Sequence, residues 1–181
     1  MRFKPLLPLL IILWAPLLAV AQSKPRVSPQ SAPIKNDSKN SEAKIRELYD
    51  RWARAFRAKD VNTIMSLYAP GDALVAYDIV PPLQYRGQDA YRKDYEEFLA
   101  QYDGPIDIEY RDLRIVANDD VAFIHALERI SGTLKNGQKS ELWVRATSGL
   151  RKISGKWLIV HDHISLPVDL DTGKAALNLK P

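Results

Sequence analysis

The feature that most limits what this chain can fold into is a change of period at Asp103-Gly104-Pro105. Before it, apolar residues recur at helical spacing; after it, they alternate in runs separated by turn signals. Ile45, Leu48, Tyr49, Trp52 and Phe56 form one apolar stripe, with Arg46, Glu47, Arg51, Arg54 and Arg57 opposite and Ser41 as the expected N-cap. Asp60 is the expected N-cap of a second, shorter helix that presents Val61, Ile64, Leu67 and Tyr68 before Pro70-Gly71 ends it. Ala73 to Tyr77 reads as a strand that delivers Asp78 ahead of Pro81-Pro82. A third helix starts near Gln88 or Asp89, with Tyr91, Asp94 or Tyr95, Phe98 and Tyr102 inward, and the Asp-Gly-Pro run stops it. Four strands follow, at 106–117, 121–134, 139–153 and 156–166, with Asn136-Gly137 and Ser154-Gly155 as hairpin signals. Helices first and then an antiparallel meander is the α+β pattern: three N-terminal helices packed on a strongly curved antiparallel sheet, a cone open at one end.

The chain of 181 residues is expected to hold one domain, because its start has other uses. Residues 1–21 carry Arg2 and Lys4, then an apolar run broken by Pro8 and Pro16, and close on Ala19-Val20-Ala21, the pattern of a cleaved secretory signal. Residues 22–40, rich in Ser, Pro, Lys and Asn, read as a disordered linker. The folded domain is then 41–166, with a tail over 167–181. This reading places the protein outside the cytoplasm, periplasmic or extracellular, with no stable membrane insertion once the signal is removed. With no cysteine there are no disulfides and no thiol chemistry. Of the net +4 charge the signal carries +2 and the linker +3, which leaves −1 on the rest and no basic stripe for nucleic acid.

Chemistry concentrates in the last strand, where His161 and His163, two of only three histidines, lie two residues apart. Strict alternation puts Trp157, Ile159, His161 and His163 on one face and Leu158, Val160, Asp162 and Ile164 on the other. If the histidine face is concave, the neighbouring strands contribute Trp143, Arg145 and Thr147, then Phe123, His125 and Leu127. In that arrangement Asp78 accepts a proton, His163 or His125 is its acid/base partner, and Arg145 stabilises an enolate or carboxylate oxygen. The plainer readings stay open beside it. Asp78 can simply accept backbone hydrogen bonds in its turn, Arg145 can be neutralised by an acid, and each histidine can be structural. A zinc or iron site on His161 and His163 with His125 or Asp78 is the weaker alternative, so neither metal nor cofactor is expected.

Four segments, in this order and spacing, carry a family resemblance: Arg57-Ala58-Lys59-Asp60 leading to Leu67-Tyr68-Ala69, the strand ALVAYD closing on Asp78, YRGQDAYR over 85–92, and GKWLIVHDHISLP over 155–167. The chain resembles the SnoaL-like and ketosteroid-isomerase-like branch of the nuclear transport factor 2-like superfamily across 41–166. That resemblance implies an internal pocket between helices and sheet and, commonly, a homodimer formed through the sheet. It implies that Asp78 stands where the isomerases move a proton. Trp52 and Thr147 stand where those enzymes have the tyrosine and neutral aspartic acid of their oxyanion site, so this chain departs from the steroid-isomerase arrangement. The expected ligand is a small amphipathic molecule, met by Trp52, Tyr49, Tyr95, Trp143, Thr147 and His161. Three functions stay open: acid–base isomerisation, cyclisation or dehydration; ligand binding without turnover; and dimerisation alone.

Overall fold

The structure, a computed structural model, describes residues 37–181; the expected signal and the expected linker up to residue 36 lie outside the described residues. Helix α1 (Asp37–Arg57) begins before Ser41, which is buried inside the helix and does not cap it, so the end of the expected linker is helical. Its stripe is as expected: Ile45, Leu48, Tyr49, Trp52 and Phe56 are all buried, because an amphipathic helix is stable only when that face leaves water. Helix α2 (Val61–Met65) is capped by Asp60, whose Oδ1 accepts the Thr63 N–H at 3.0 Å. A 3-10 turn over Gly71–Ala73, strand β1 (Val75–Tyr77), strand β2 (Tyr85–Arg86) and helix α3 (Gln88–Leu99) follow. The long strands are β3 (Tyr102–Ala117), β4 (Val121–Leu134), β5 (Lys139–Ile153) and β6 (Lys156–Ser165).

The six strands form one curved, unclosed sheet in the order β2-β1-β6-β5-β4-β3, with the helices on its inner face. All neighbours are antiparallel except β1 and β6, which run parallel with Val75 beside His161 and Tyr77 beside His163. The Asp103-Gly104-Pro105 run is not a break between elements. It lies inside β3, where the pairing to β4 slips between Asp103 and Asp107, and an edge strand tolerates a proline and a bulge there. The β5–β6 hairpin turns at Ser154 and Gly155, both at positive φ (49° and 80°), the conformation that matches the twist of its strands.

One irregularity decides which side chains face inward. Ile159 pairs with Leu150 and His161 pairs with Gly149, so Val160 is an extra residue on β6 and the alternation inverts across it. Trp157 and Ile159 are buried before the bulge; Asp162 is buried after it. The histidine face is therefore the outer face of the sheet, a correction to the strict alternation read from the sequence. On β4 the inward set is Ala122, Ile124, Ala126, Glu128 and Ile130; on β5 it is Val144, Ala146, Ser148 and Leu150. Along the outer face runs the C-terminal tail, tied by Lys180 to Glu141 and by Arg111 Nη1 donating to the Pro181 carbonyl at 2.9 Å.

Candidate acid–base cavity

A cavity of about 390 Å³ lies between α1, α3 and the inner face of the sheet, with the partly exposed segment Ile79–Pro81 on its rim. Its apolar wall is aromatic. Trp52 stacks on Phe56 at 4.8 Å between centroids, and Tyr91 meets Tyr95 edge-on at 4.9 Å and Tyr68 at 5.6 Å. Trp52 and Phe56 on α1, and Tyr91 and Tyr95 on α3, are each one helical turn apart, so the stripes that bury the helices also line the space they enclose.

Asp162 is a buried acid of this wall with both carboxyl oxygens satisfied. It is 5% exposed, brought inward by the bulge, and both carboxyl oxygens accept hydroxyl hydrogen bonds. Tyr49 donates to Ser148 at 2.6 Å and Ser148 donates to Asp162 Oδ1 at 2.6 Å. Tyr68 donates to Oδ2 at 2.8 Å, and because that uses its only proton, the 2.7 Å contact between Tyr95 and Tyr68 is a donation from Tyr95. Two relays thus end on one carboxylate. Burial pushes its pKa up, opposed by the hydrogen bonds from Ser148 and Tyr68.

Glu128 is equally buried and has no such support. It is 5% exposed, lines the cavity, and no hydrogen bond to its carboxyl is found among the described residues. Its cross-strand neighbour Tyr110 also buries an unpartnered hydroxyl. Burial first, then the charges of Asp162 and Asp78, raise Glu128 to about 8, so it holds its proton at neutral pH. Asp78 follows β1 at the cavity. Its Oδ1 accepts the Ile79 N–H at 2.6 Å and its Oδ2 accepts the Tyr91 hydroxyl at 3.1 Å, so the turn-forming and cavity-facing readings both hold. Burial raises Asp78 to about 6, opposed by the Ile79 hydrogen bond.

The expected site residues divide between the two faces. Asp78, Tyr49, Trp52 and Tyr95 line the cavity. His125, Thr147 and His163 do come together, as a lateral row across β4, β5 and β6, but on the outer face. Arg145 is exposed on that face, and Trp143 lies there under Arg111, 5.2 Å from its ring centroid. His161 Nδ1 bonds the Val75 carbonyl at 2.9 Å, a structural contact to β1. His163 borders a second, shallower depression with Tyr77, Leu166 and Val168. Among the described residues no group of three or more metal-ligating side chains converges. Sequence reasoning missed Asp162, Ser148 and Glu128. Their signal was present: on β4 and β5 the registers holding Ile124, Ile130, Val144 and Leu150 are the more apolar, and a carboxylate or hydroxyl in an apolar register is the anomaly to follow.

The same architecture is found in solved structures. A nuclear transport factor 2-like protein of unknown function from Pseudomonas putida is 35% identical, covering 80% of this chain and 99% of that one, with a TM-score of 0.72. A nuclear transport factor 2-like superfamily protein from Salmonella enterica is 18% identical over 76% of this chain and 98% of its own, TM-score 0.66. A ketosteroid isomerase-like protein from Erwinia carotovora is 20% identical over 68% of this chain and 93% of its own, TM-score 0.58. At these lower identities the likeness is one of fold. No curated protein matches the chain. The match that spans helices and sheet alike, residues 45–169, is to the SnoaL-like domain, and this chain belongs to that family.

Proposed function

We propose that the cavity takes a small amphipathic molecule and that Asp78 and Glu128 move a proton on it, in chemistry of the isomerase, cyclase or dehydratase kind. One observation carries this reading: the two carboxyls share a cavity, and their surroundings put them in opposite protonation states at neutral pH. A group near 6 is ionised and able to accept a proton; a group near 8 keeps one to give. Burial first, and then the neighbouring Asp162 held by its hydroxyl relays, favour the protonated form of Glu128. The solved ketosteroid isomerase-like relative of the same fold is in keeping with proton transfer. The N-terminal signal pattern makes export to the periplasm or the outside part of the same proposal, and a homodimer through the sheet remains its expected assembly.

The test is deuterium exchange at the α-carbons of a panel of cyclic ketones in D2O, followed by NMR. Wild-type protein should accelerate exchange with a bell-shaped pH dependence, rising through about 6 and falling near about 8, values that belong to the coupled pair. Asp78→Asn should lower the rate by roughly 100-fold or more while ligand affinity is retained. Exchange by Asp78→Asn at the wild-type rate would remove Asp78 from the role. The binding-only reading is favoured by the absence, among the described residues, of a basic side chain on the cavity wall to steady an oxyanion, and retained ligands with no exchange would establish it.

A further inference from the structure

The charge of the cavity wall restricts what can enter it. Five acids line it, Asp78, Asp94, Glu97, Glu128 and Asp162, and among the described lining residues there is no lysine, arginine or histidine. Glu97 sits at the exposed rim, where water and salt screen it, but Asp78 and Asp94 are half-buried and Glu128 and Asp162 are buried, so screening reaches them far less. Glu128 adds an independent sign: it is more than nine-tenths buried, without a protein partner, and what exposure it keeps is to the cavity it lines. A buried carboxyl left unpaired in a native structure costs stability, and this one is set against Val144 across the β4–β5 ladder, with Ile130 two residues along the same face. The wall around it is formed by Trp52, Phe56, Tyr68, Tyr91 and Tyr95, whose ring faces attract cations.

Each ligand class meets this wall differently. An anion would sit among five acids with no basic side chain among the described lining residues to meet it. A neutral polar molecule would leave the acids of the wall without a counter-charge. A metal ion needs donors that converge on a point, and no such group exists among the described residues. An organic cation with an apolar body meets all three features: acids for its charge, rings for its face, and a partner for Glu128. We propose that the ligand of this cavity is an amphipathic molecule bearing a basic nitrogen, held by Glu128 against the aromatic wall. This inference rests on the reading of the cavity as a small-molecule site and names the class that site takes. A free amine entering the cavity takes the carboxyl proton of Glu128 onto nitrogen, which leaves an ammonium beside a carboxylate and no net change in charge.

Three probes with one skeleton test it: 2-naphthylmethylamine, 2-naphthylmethanol and 2-naphthoate, titrated into the full-length protein at neutral pH by calorimetry. The amine should bind at least tenfold more tightly than the alcohol, and the carboxylate most weakly. In Glu128→Gln the preference for amine over alcohol should fall to within about threefold. The wild-type ranking needs no variant, so misfolding of Glu128→Gln cannot hide the answer. If all three probes bind alike, or the alcohol binds best, the cationic class is wrong while the small-molecule site stands. If none of them binds, the small-molecule reading falls and this inference with it.

Discussion

The two faces of the sheet carry similar residue types and treat them in opposite ways. On the outer face Arg129 reaches Glu109 at 2.9 Å and Glu141 at 3.3 Å, and every partner is partly exposed, so water and salt screen what the pairs gain. On the inner face Glu128 and Asp162 are each 5% exposed, with no cationic side chain on the cavity wall among the described residues. A glutamate opposite an arginine in water is pulled down, as Glu141 is by Lys180 and Arg129, whereas Glu128, among rings and other acids, is pushed up to about 8. Residue type therefore says little about chemistry until the face is known.

The contrast is sharpest at Asp162, where Asp162→Ala should have the largest effect. It removes the shared acceptor of two hydroxyl relays and leaves Ser148 and Tyr68 without a partner, a loss of roughly 3–5 kcal/mol in urea unfolding. A loss below about 1 kcal/mol would show that the relays carry no weight. Glu128→Gln should move stability the other way. Unfolded Glu128 ionises near its ordinary value while the folded one keeps its proton up to about 8, so across that window the native state binds more protons and stability falls as pH rises. The glutamine variant should gain roughly 2 kcal/mol over wild type at pH 8 and almost nothing at pH 4, a difference read from the two unfolding curves. An equal gain at both pH values would mean that packing, not ionisation, is responsible. On the outer face, Arg129→Ala should lower the melting temperature only slightly, and less in high salt. His163→Ala should fall within about 0.5 kcal/mol of wild type and leave cavity ligands bound with unchanged affinity. A tenfold change in ligand binding by His163→Ala would reopen the outer face as part of the site.

Much of the architecture was legible in the chain. The stripe Ile45–Phe56 had to be buried, the cap at Asp60 formed as its chemistry requires, and the strand ends at Ala117, Leu134 and Ile153 fall where turn residues interrupt alternation. The site was legible only in part. Asp78, Tyr49, Trp52 and Tyr95 reached the cavity because they lie on elements whose inward face is marked by many neighbours. The strand residues His125, Arg145, Trp143 and Thr147 were placed by extending one assumption about β6 across two more strands, and a single extra residue reversed it. Side-chain parity has period two, so an error of one position moves every dependent residue to the other face.

By itself the sequence determined the element types, their order and the family, because periodicity, caps and turn residues act over a few neighbours. In the sequence Asp162 and Glu128 are two acids in apolar strand registers, with nothing to say what surrounds them. Only the tertiary structure decided that the bulge at Val160 turns Asp162 inward, that Tyr68 and Ser148, distant in sequence, converge on it, and that Glu128 is left unpaired beside it. Burial and long-range pairing set those protonation states, and both depend on groups brought together only by the closed fold.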